Sequence, residues 1–211
     1  MTVGILGAGA FGTSLSIALS TPNKKLILWT QNHGTVKSIQ EVRENRLRLP
    51  GYILPEQIIA TNDIAEIKDC SIVLIAVPMQ QLRSLVEMHG SILKGKILVA
   101  CCKGFEVSSG LGPTAILEIA SEKTAVLTGP SFASDLASGF PTALTIASKV
   151  EGLAKYTQKE LGTEILRLYW SNDPIGAELG GALKNVIAIG CGVTIGAGYG
   201  SSSRAALMTR G

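Results

Sequence analysis

The sequence is poor in the residues that mark several functional classes. It has four cysteines and two histidines, but no C-x-x-C pair and no clustering of histidine with cysteine, so a metal site is not expected. The net charge is only +3 and the basic residues are scattered along the chain. This balance gives no support to a nucleic-acid-binding face.

Only two uncharged stretches are long enough to be compared with a signal peptide or a membrane span. Residues 1–23 carry no charge, yet a signal peptide needs a basic amino-terminal region, and the first lysine is Lys24. Residues 185–203 are uncharged as well, but ten of these nineteen are Gly, Ser, Thr or Asn, which favours a buried helix followed by a turn over a membrane span. The adjacent Cys101 and Cys102 are interpreted as reduced core thiols, pointing to opposite faces, in a cytoplasmic protein.

What the chain has in quantity is apolar and small residues. It is 46% hydrophobic, contains 24 glycines and has a mean hydropathy of +0.33. This composition favours an α/β protein with continuously buried strands. The predicted strands are residues 25–30, 58–61, 71–77, 96–102, 125–128, 142–147 and 165–169, and the predicted helices are residues 34–44, 64–68, 79–93, 113–120 and 153–161. Residues 46–58, which contain two prolines, are expected to form an irregular excursion.

The stretch VGILGAGAFG, residues 3–12, carries the most specific signal. A buried strand is followed by three glycines and then by an amphipathic helix, which is the dinucleotide-binding pattern. In that pattern Gly7 makes the tight turn, Gly9 admits a pyrophosphate and Gly12 allows close packing of helix on strand. The alternative is a glycine-rich turn without a ligand.

The end of the second predicted strand bears on the choice of cofactor. An Asp or Glu at this place holds the ribose of NAD, whereas a basic residue suits the phosphate of NADP. Here Trp29 is followed by Thr30, Gln31 and Asn32, so NADP is permitted along with NAD. Three arginines downstream can equally be solvated charges: Arg43, Arg46 and Arg48.

Two lysines lie where chemistry is expected. Lys103 follows a buried strand, and ligands bind at the carboxyl ends of strands in open α/β sheets, although a snorkelling surface lysine fits too. Lys184 shares a helix face with Gly176 and Gly180, with Gly181 beside them. Close approach of that face to a backbone or ligand is expected to desolvate Lys184 and lower its pKa, while a plain helix contact explains the glycines but not the lysine.

Together these patterns predict a Rossmann-type, mostly parallel sheet with helices on both faces in residues 1–171. An all-helical domain is expected to begin at residue 172 and to be cut short at residue 211.

Six segments resemble the NAD(P)-dependent glycerol-3-phosphate dehydrogenase family, bacterial biosynthetic type. They are GAGAFGTSLS, LILWT, VPMQ, CCKGFE, TGPSFASDLASGFPTA and GAELGGALKNVIAIGCGV, in the order of the family's first two thirds. Two departures are that Thr30-Gln31 replaces a basic residue found in many members, and that Asp135 replaces a usual Glu.

The resemblance implies residue roles. The cofactor, NADP or NAD, would contact Gly7, Gly9, Ala10, Phe11, Gly12, Gln31, Pro78, Lys103 and Ala133. Substrate would contact Lys103, Gly129, Ser131 and Lys184, and the catalytic residues would be Lys184 as proton donor, Lys103 and Asn185.

The implied reaction interconverts dihydroxyacetone phosphate and sn-glycerol 3-phosphate, feeding glycerophospholipid synthesis, in a cytoplasmic homodimer without a membrane span. Two alternatives stay open at this point: another two-domain dehydrogenase of the hydroxyacid type, and a dinucleotide-binding module without catalysis.

Overall fold

The computed structural model describes all 211 residues and contains ten strands and eight α-helices. The strands are β1 (Thr2–Leu6), β2 (Lys25–Trp29), β3 (Glu44–Asn45), β4 (Leu49–Ile53), β5 (Ile58–Thr61), β6 (Ile72–Ile75), β7 (Ile97–Ala100), β8 (Thr124–Thr128), β9 (Thr142–Ala147) and β10 (Leu166–Ser171). The helices are α1 (Ala10–Leu19), α2 (His33–Val42), α3 (Leu82–Leu93), α4 (Pro113–Leu117), α5 (Ala133–Ala137), α6 (Leu153–Leu161), α7 (Pro174–Gly196) and α8 (Ser201–Arg210). Two short 3-10 helices span Ile64–Ile67 and Met79–Gln81.

Eight strands form one sheet in the order β10-β9-β8-β7-β6-β1-β2-β5. The six strands from β5 to β8 in this order are parallel, and only the β8–β9 pairing is antiparallel. All six parallel strands therefore end at one edge of the sheet, which collects the loops that follow them. The predicted fold class, a Rossmann-type sheet followed by a helical segment, is confirmed.

Successive strand residues serve the two faces of the sheet. Ile5 belongs to a core cluster with Leu15 of α1, whereas its neighbour Leu6 belongs to a second cluster with Leu82 of α3. This alternation is the two-residue period of a strand, and it explains why runs of purely apolar residues are needed here. Cys101 and Cys102 likewise enter opposite clusters, as predicted.

Several local predictions need correction. The 46–58 segment is not irregular, because β3 and β4 form an antiparallel hairpin in which Glu44 pairs with Ile53. Arg43 is not a solvated charge, since its guanidinium donates to the carbonyl oxygens of Leu54, Pro55 and Ile58. Helix α5 has no counterpart among the predicted helices, and the turn after β5 is a 3-10 helix.

The carboxyl-terminal helices form a separate layer. Asp173 caps α7 by accepting from the N–H of Gly176 at 2.8 Å, and the first half of α7 packs on β8 and β9. The second half packs against α8, and its apolar side chains are exposed, for example Val186 at 64% and Ile189 at 69%. An apolar patch around residues 186–199 is thus exposed in this chain. Helix α7 is long and apolar enough to cross a membrane, with a mean hydropathy of 1.4, a test that core helices of soluble proteins also pass.

Candidate active site

The turn after β1 can be built only with glycine at two positions. Gly7 has a φ of +110°, and a Cβ there would lie 2.7 Å from the carbonyl oxygen of Ala76. A Cβ on Gly12 would collide with the carbonyl oxygen of Gly7. These close approaches bring the amino end of α1 tightly against β1 and β6, where the strands end.

Gly9 plays a different part, because a Cβ there would meet nothing within 4 Å. The backbone N–H groups of Ala10, Phe11 and Gly12 begin α1 and donate to no carbonyl oxygen of the chain. Such free N–H groups at the positive end of a helix dipole bind phosphate well. The turn therefore fits the pyrophosphate of a dinucleotide.

The hairpin β3–β4 reaches this turn through a buried amide. The side-chain Nδ2 of Asn45, fully buried, donates to the carbonyl oxygen of Ala8 at 3.0 Å and to Oγ1 of Thr13 at 2.8 Å. Its Oδ1 accepts from the N–H of Arg48 at 3.2 Å. Asn45 thus ties the glycine turn, helix α1 and the hairpin together.

At the end of β2 the side chains are neutral. Gln31 is exposed, and Oδ1 of Asn32 accepts from the N–H of Thr35 at 2.8 Å, which caps α2. No carboxylate follows Trp29 directly. Of the arginines downstream, Arg43 holds carbonyl oxygens and the exposed Arg46 pairs with Glu44 at 3.2 Å.

The loop between β7 and α4 carries Lys103 and is held by the segment after β6. Pro78 precedes the 3-10 helix Met79–Gln81, in which the Gln80 side chain donates to the carbonyl oxygen of Phe105 at 2.8 Å and accepts from the N–H of Val107 at 3.0 Å. A partly buried ion pair adds to this clamp, because Arg83 donates to both carboxylate oxygens of Glu106 at 2.8–3.0 Å.

Hydrogen bonding in this ion pair shifts the pKa values of both partners. The hydrogen bonds from Arg83 and from Ser109 lower the pKa of Glu106 below its ordinary value of 4.5. The same pair raises the pKa of Arg83. The loop that carries Lys103 is therefore fixed by a permanent charge pair at neutral pH.

Lys103 meets Lys184 at the carboxyl edge of the sheet. The pKa of Lys103 is lowered, first by partial burial of its side chain and then by the charge of Lys184. The structure thus brings together two lysines that lie far apart in the sequence.

The glycines of α7 explain only in part how this helix comes close to Lys103. A Cβ on Gly181 would lie 2.8 Å from Oγ1 of Thr128 and 4.0 Å from Cγ of Lys103, so this position is a close approach as predicted. Gly180 has open space around it, and Lys184 is itself exposed. The desolvation expected for Lys184 is therefore not found in this structure, whereas partial burial lowers the pKa of Lys103.

The turn after β8 completes the edge. A Cβ on Gly129 would lie 2.8 Å from Leu144, and the Oγ of Ser131 is buried without a hydrogen-bond partner. Buried hydroxyls are almost always paired, so the unpaired Oγ of Ser131 is a candidate for contact with a ligand. Ala133 opens α5, which packs against α1. Asn185 is exposed and makes no hydrogen bond within the chain through its side chain.

Two family models match the sequence. The model described as NAD-dependent glycerol-3-phosphate dehydrogenase N-terminus matches residues 2–154, and the model of the C-terminus of the same enzyme matches residues 173–211. The chain belongs to the NAD-dependent glycerol-3-phosphate dehydrogenase family. The resemblance inferred from six segments is thereby confirmed over the length of the chain.

Relatives named glycerol-3-phosphate dehydrogenase [NAD(P)+] align with the whole chain. The protein from Ruegeria sp. is 51% identical over 213 residues, covering 100% of this chain and 66% of its own length. The protein from Paracoccus denitrificans is 46% identical with the same coverage of both chains. The chain therefore spans just under two thirds of the length of these members of the glycerol-3-phosphate dehydrogenase family.

Solved structures support the same membership. The crystal structure of glycerol-3-phosphate dehydrogenase from Coxiella burnetii superposes with a TM-score of 0.87 at 31% identity, covering 99% of this chain and 65% of that one. The enzyme from Plasmodium falciparum shares the fold with a TM-score of 0.86 at 24% identity, covering 98% and 62%. Helix α7 thus lies within the part of this chain that matches known members of the family.

Sequence reasoning missed three positions that shape the site. Asn45 lies beside the segment for which the sequence predicts irregular structure, and no local pattern marks its hydrogen bond to Ala8. Gln80 lies where the spacing predicts ordinary helix packing. Glu178 did carry a signal, because a lone carboxylate among apolar and glycine residues of a helix is rarely left without a partner.

Proposed function

We propose that the protein interconverts dihydroxyacetone phosphate and sn-glycerol 3-phosphate with NAD(P)H as part of glycerophospholipid synthesis. The observation that carries this proposal is the close approach of α7, which carries Lys184, to the strand ends that carry Lys103, since a Cβ on Gly181 would lie 2.8 Å from Oγ1 of Thr128 and 4.0 Å from Cγ of Lys103. Family membership and the names of the relatives support it.

The cofactor would be held by the turn after β1 and by its neighbours. The N–H groups at the start of α1 receive the pyrophosphate over Gly9, with Ala10, Phe11 and Gly12 forming its floor. Gln31 would contact the adenosine ribose, and Pro78, Lys103 and Ala133 would contact other parts of the cofactor. When bound, the nicotinamide supplies the hydride to the ketone carbon.

The two lysines are assigned different roles in the reaction. Lys184 would transfer a proton to the carbonyl oxygen, and partial burial lowers the pKa of the neighbouring Lys103. Lys103 and Asn185 donate hydrogen bonds to the negative charge that develops on that oxygen. Gly129 and Ser131 would hold the polar substrate, the latter through its unpaired Oγ.

NADP is proposed to bind at least as well as NAD. Support comes from the neutral side chains of Thr30, Gln31 and Asn32, since no carboxylate repels a phosphate there. Fluorescence titration with NADPH and NADH measures the preference, and strong selection of NADH would contradict the proposal.

The reaction is tested by following NADPH oxidation with dihydroxyacetone phosphate, both in chain 1–211 and in a version extended to the length of the relatives. Turnover with this ketone, and none with hydroxyacid-derived ketones such as pyruvate, is the expected result. Tight NADPH binding without any turnover in the extended version would favour a non-catalytic module.

The remaining assignments are proposals as well. The division at residues 171 and 172 is supported by the end of β10 at Ser171 and the start of α7 at Pro174. The absence of a membrane span is supported by the buried Glu178 within α7. A cytoplasmic location is supported by four free cysteines. A homodimer and the absence of a nucleic-acid partner complete the proposal, and size-exclusion chromatography tests the former.

A further inference from the structure

Glu178 is a buried carboxylate in α7 to which the reaction assigns no task. Only 7% of the residue is exposed, and its Oε1 accepts two hydrogen bonds, from the N–H of Thr114 at 2.8 Å and from Oγ1 of Thr114 at 2.7 Å. Thr114 is also buried, at 4% exposed. A buried carboxylate that accepts from two donors of one residue is held strongly and in one orientation.

The amino end of α4 needs this carboxylate. Gly112 is the N-cap of α4 and has no side chain to satisfy the free N–H groups there, so the cap comes from a residue 64 positions away from Thr114. A negative charge at this end of a helix is also favourable. Gly112 in turn makes room, because a Cβ there would collide with Oε2 of Glu178 and lie 3.0 Å from its Cδ.

The Glu178–Thr114 hydrogen bonds join α7, which carries Lys184, to α4, which directly follows the loop that carries Lys103. The loop that carries Lys103 ends at Gly112, so Glu178 holds the far end of that loop. The other end of the loop begins beside Cys102, whose pKa is raised to about 12. Burial is the main cause, and the charge of Glu178 adds to it. Along α7, Lys184 follows Glu178 by six residues, roughly 9 Å of helix rise.

We propose that Glu178 is the positioning residue that sets Lys184 of α7 against Lys103. The proposal rests on the proposed function, in which this lysine pair does the chemistry. Without the hydrogen bonds to Thr114, the first turns of α7 keep only their packing on the sheet, through Pro174, Ala177 and Gly181, so Lys184 moves away from Lys103.

The test measures the pKa of Lys103, which reports on the closeness of Lys184. Lysines are reductively methylated with ¹³C-formaldehyde and titrated by NMR, and the Lys103 signal is assigned by its disappearance in Lys103→Arg. The reference variant is Lys184→Met, which removes the neighbouring charge and raises the pKa of Lys103 toward its ordinary value. Glu178→Ala is expected to raise it in the same direction.

Two matched variants separate positioning from general damage. Glu178→Gln keeps an oxygen that accepts both bonds from Thr114, so it is expected to retain the lowered pKa of Lys103. Thr114→Val removes one of the two hydrogen bonds to Glu178 and is expected to raise the pKa of Lys103 by less than Glu178→Ala does. Thr114→Ser keeps both donors and is expected to leave the pKa of Lys103 unchanged. If circular dichroism shows that Glu178→Ala does not fold, the comparison of Thr114→Val with Thr114→Ser tests the proposal instead.

The outcomes distinguish the two proposals. If the pKa of Lys103 rises in Lys184→Met but not in Glu178→Ala or Thr114→Val, the positioning role of Glu178 is overturned. The interaction between the two lysines is then still supported. No rise in Lys184→Met overturns the lysine pair itself, and with it the proposed function. A rise in Glu178→Gln as large as in Glu178→Ala also contradicts the proposal, because hydrogen bonding would then not be the cause.

Discussion

The side-chain amide of Asn45 donates to the main-chain carbonyl oxygen of Ala8 across 3.0 Å, although 37 positions separate the two residues. Asn45→Asp is expected to weaken NADPH binding, because a carboxylate cannot donate to Ala8 or Thr13 and repels the carbonyl oxygen. A loss of about 1–3 kcal/mol in stability should accompany it. Asn172→Asp, at an exposed position, is the control. Fluorescence titration and thermal melting give both readouts, and unchanged affinity in Asn45→Asp would show that the turn is rigid without the hairpin.

Gly9 is expected to tolerate no side chain when a dinucleotide binds. Gly9→Val fills the space over the start of α1, so NADPH affinity should fall at least about 100-fold, or about 2.8 kcal/mol. The control is Gly90→Ala in α3, where a Cβ also meets nothing within 4 Å but no ligand is expected. Wild-type affinity in Gly9→Val would sink the dinucleotide assignment.

Lys184 is expected to act in the chemical step rather than in cofactor binding. In an active, extended version of the chain, Lys184→Ala should lower kcat by about 10²- to 10⁴-fold and leave the Kd for NADPH nearly unchanged. Lys103→Ala should harm both substrate binding and rate. Lys94→Ala, an exposed lysine after α3, is the control. Turnover close to wild type in Lys184→Ala would make this lysine an ordinary surface charge.

The Arg83–Glu106 pair predicts how stability depends on pH. Because the folded-state pKa of Glu106 lies below 4.5, its contribution is fully present above pH 4.5 and is lost as the pH falls through the lowered value. Glu106→Gln should therefore flatten the acid side of the melting-temperature profile. Glu87→Gln is the matched control, since Glu87 meets the same arginine at 3.9 Å but is 58% exposed. Equal profiles for the two variants would contradict the assignment.

The outer side of α7 predicts the behaviour of chain 1–211 in solution. Val186, Ile189 and Val193 are each more than 60% exposed, a larger apolar surface than monomers usually carry. The chain should self-associate or bind a hydrophobic dye, and it should show little dehydrogenase activity. Val186→Ser with Ile189→Ser should reduce dye binding, whereas Val107→Ser, an isolated exposed valine, should not. Light scattering that finds a monodisperse monomer with full turnover would refute this expectation.

The sequence by itself determined the sheet, the glycine turn and the family. Those features depend on local rules: alternating burial makes Ile5 and Leu6 serve two faces, and a steric limit within a few residues makes Gly7 and Gly12 necessary. Lys103 could be placed at the ligand edge for the same reason, since a strand end is visible in the sequence.

Only the tertiary structure decided how these parts meet. The bonds of Asn45 to Ala8 and of Glu178 to Thr114 join elements that local spacing does not relate. The pKa shift also belongs to the tertiary structure, because desolvation depends on what packs around a group. The sequence pattern pointed to Lys184 as the perturbed lysine, whereas packing lowers the pKa of Lys103 and leaves Lys184 exposed.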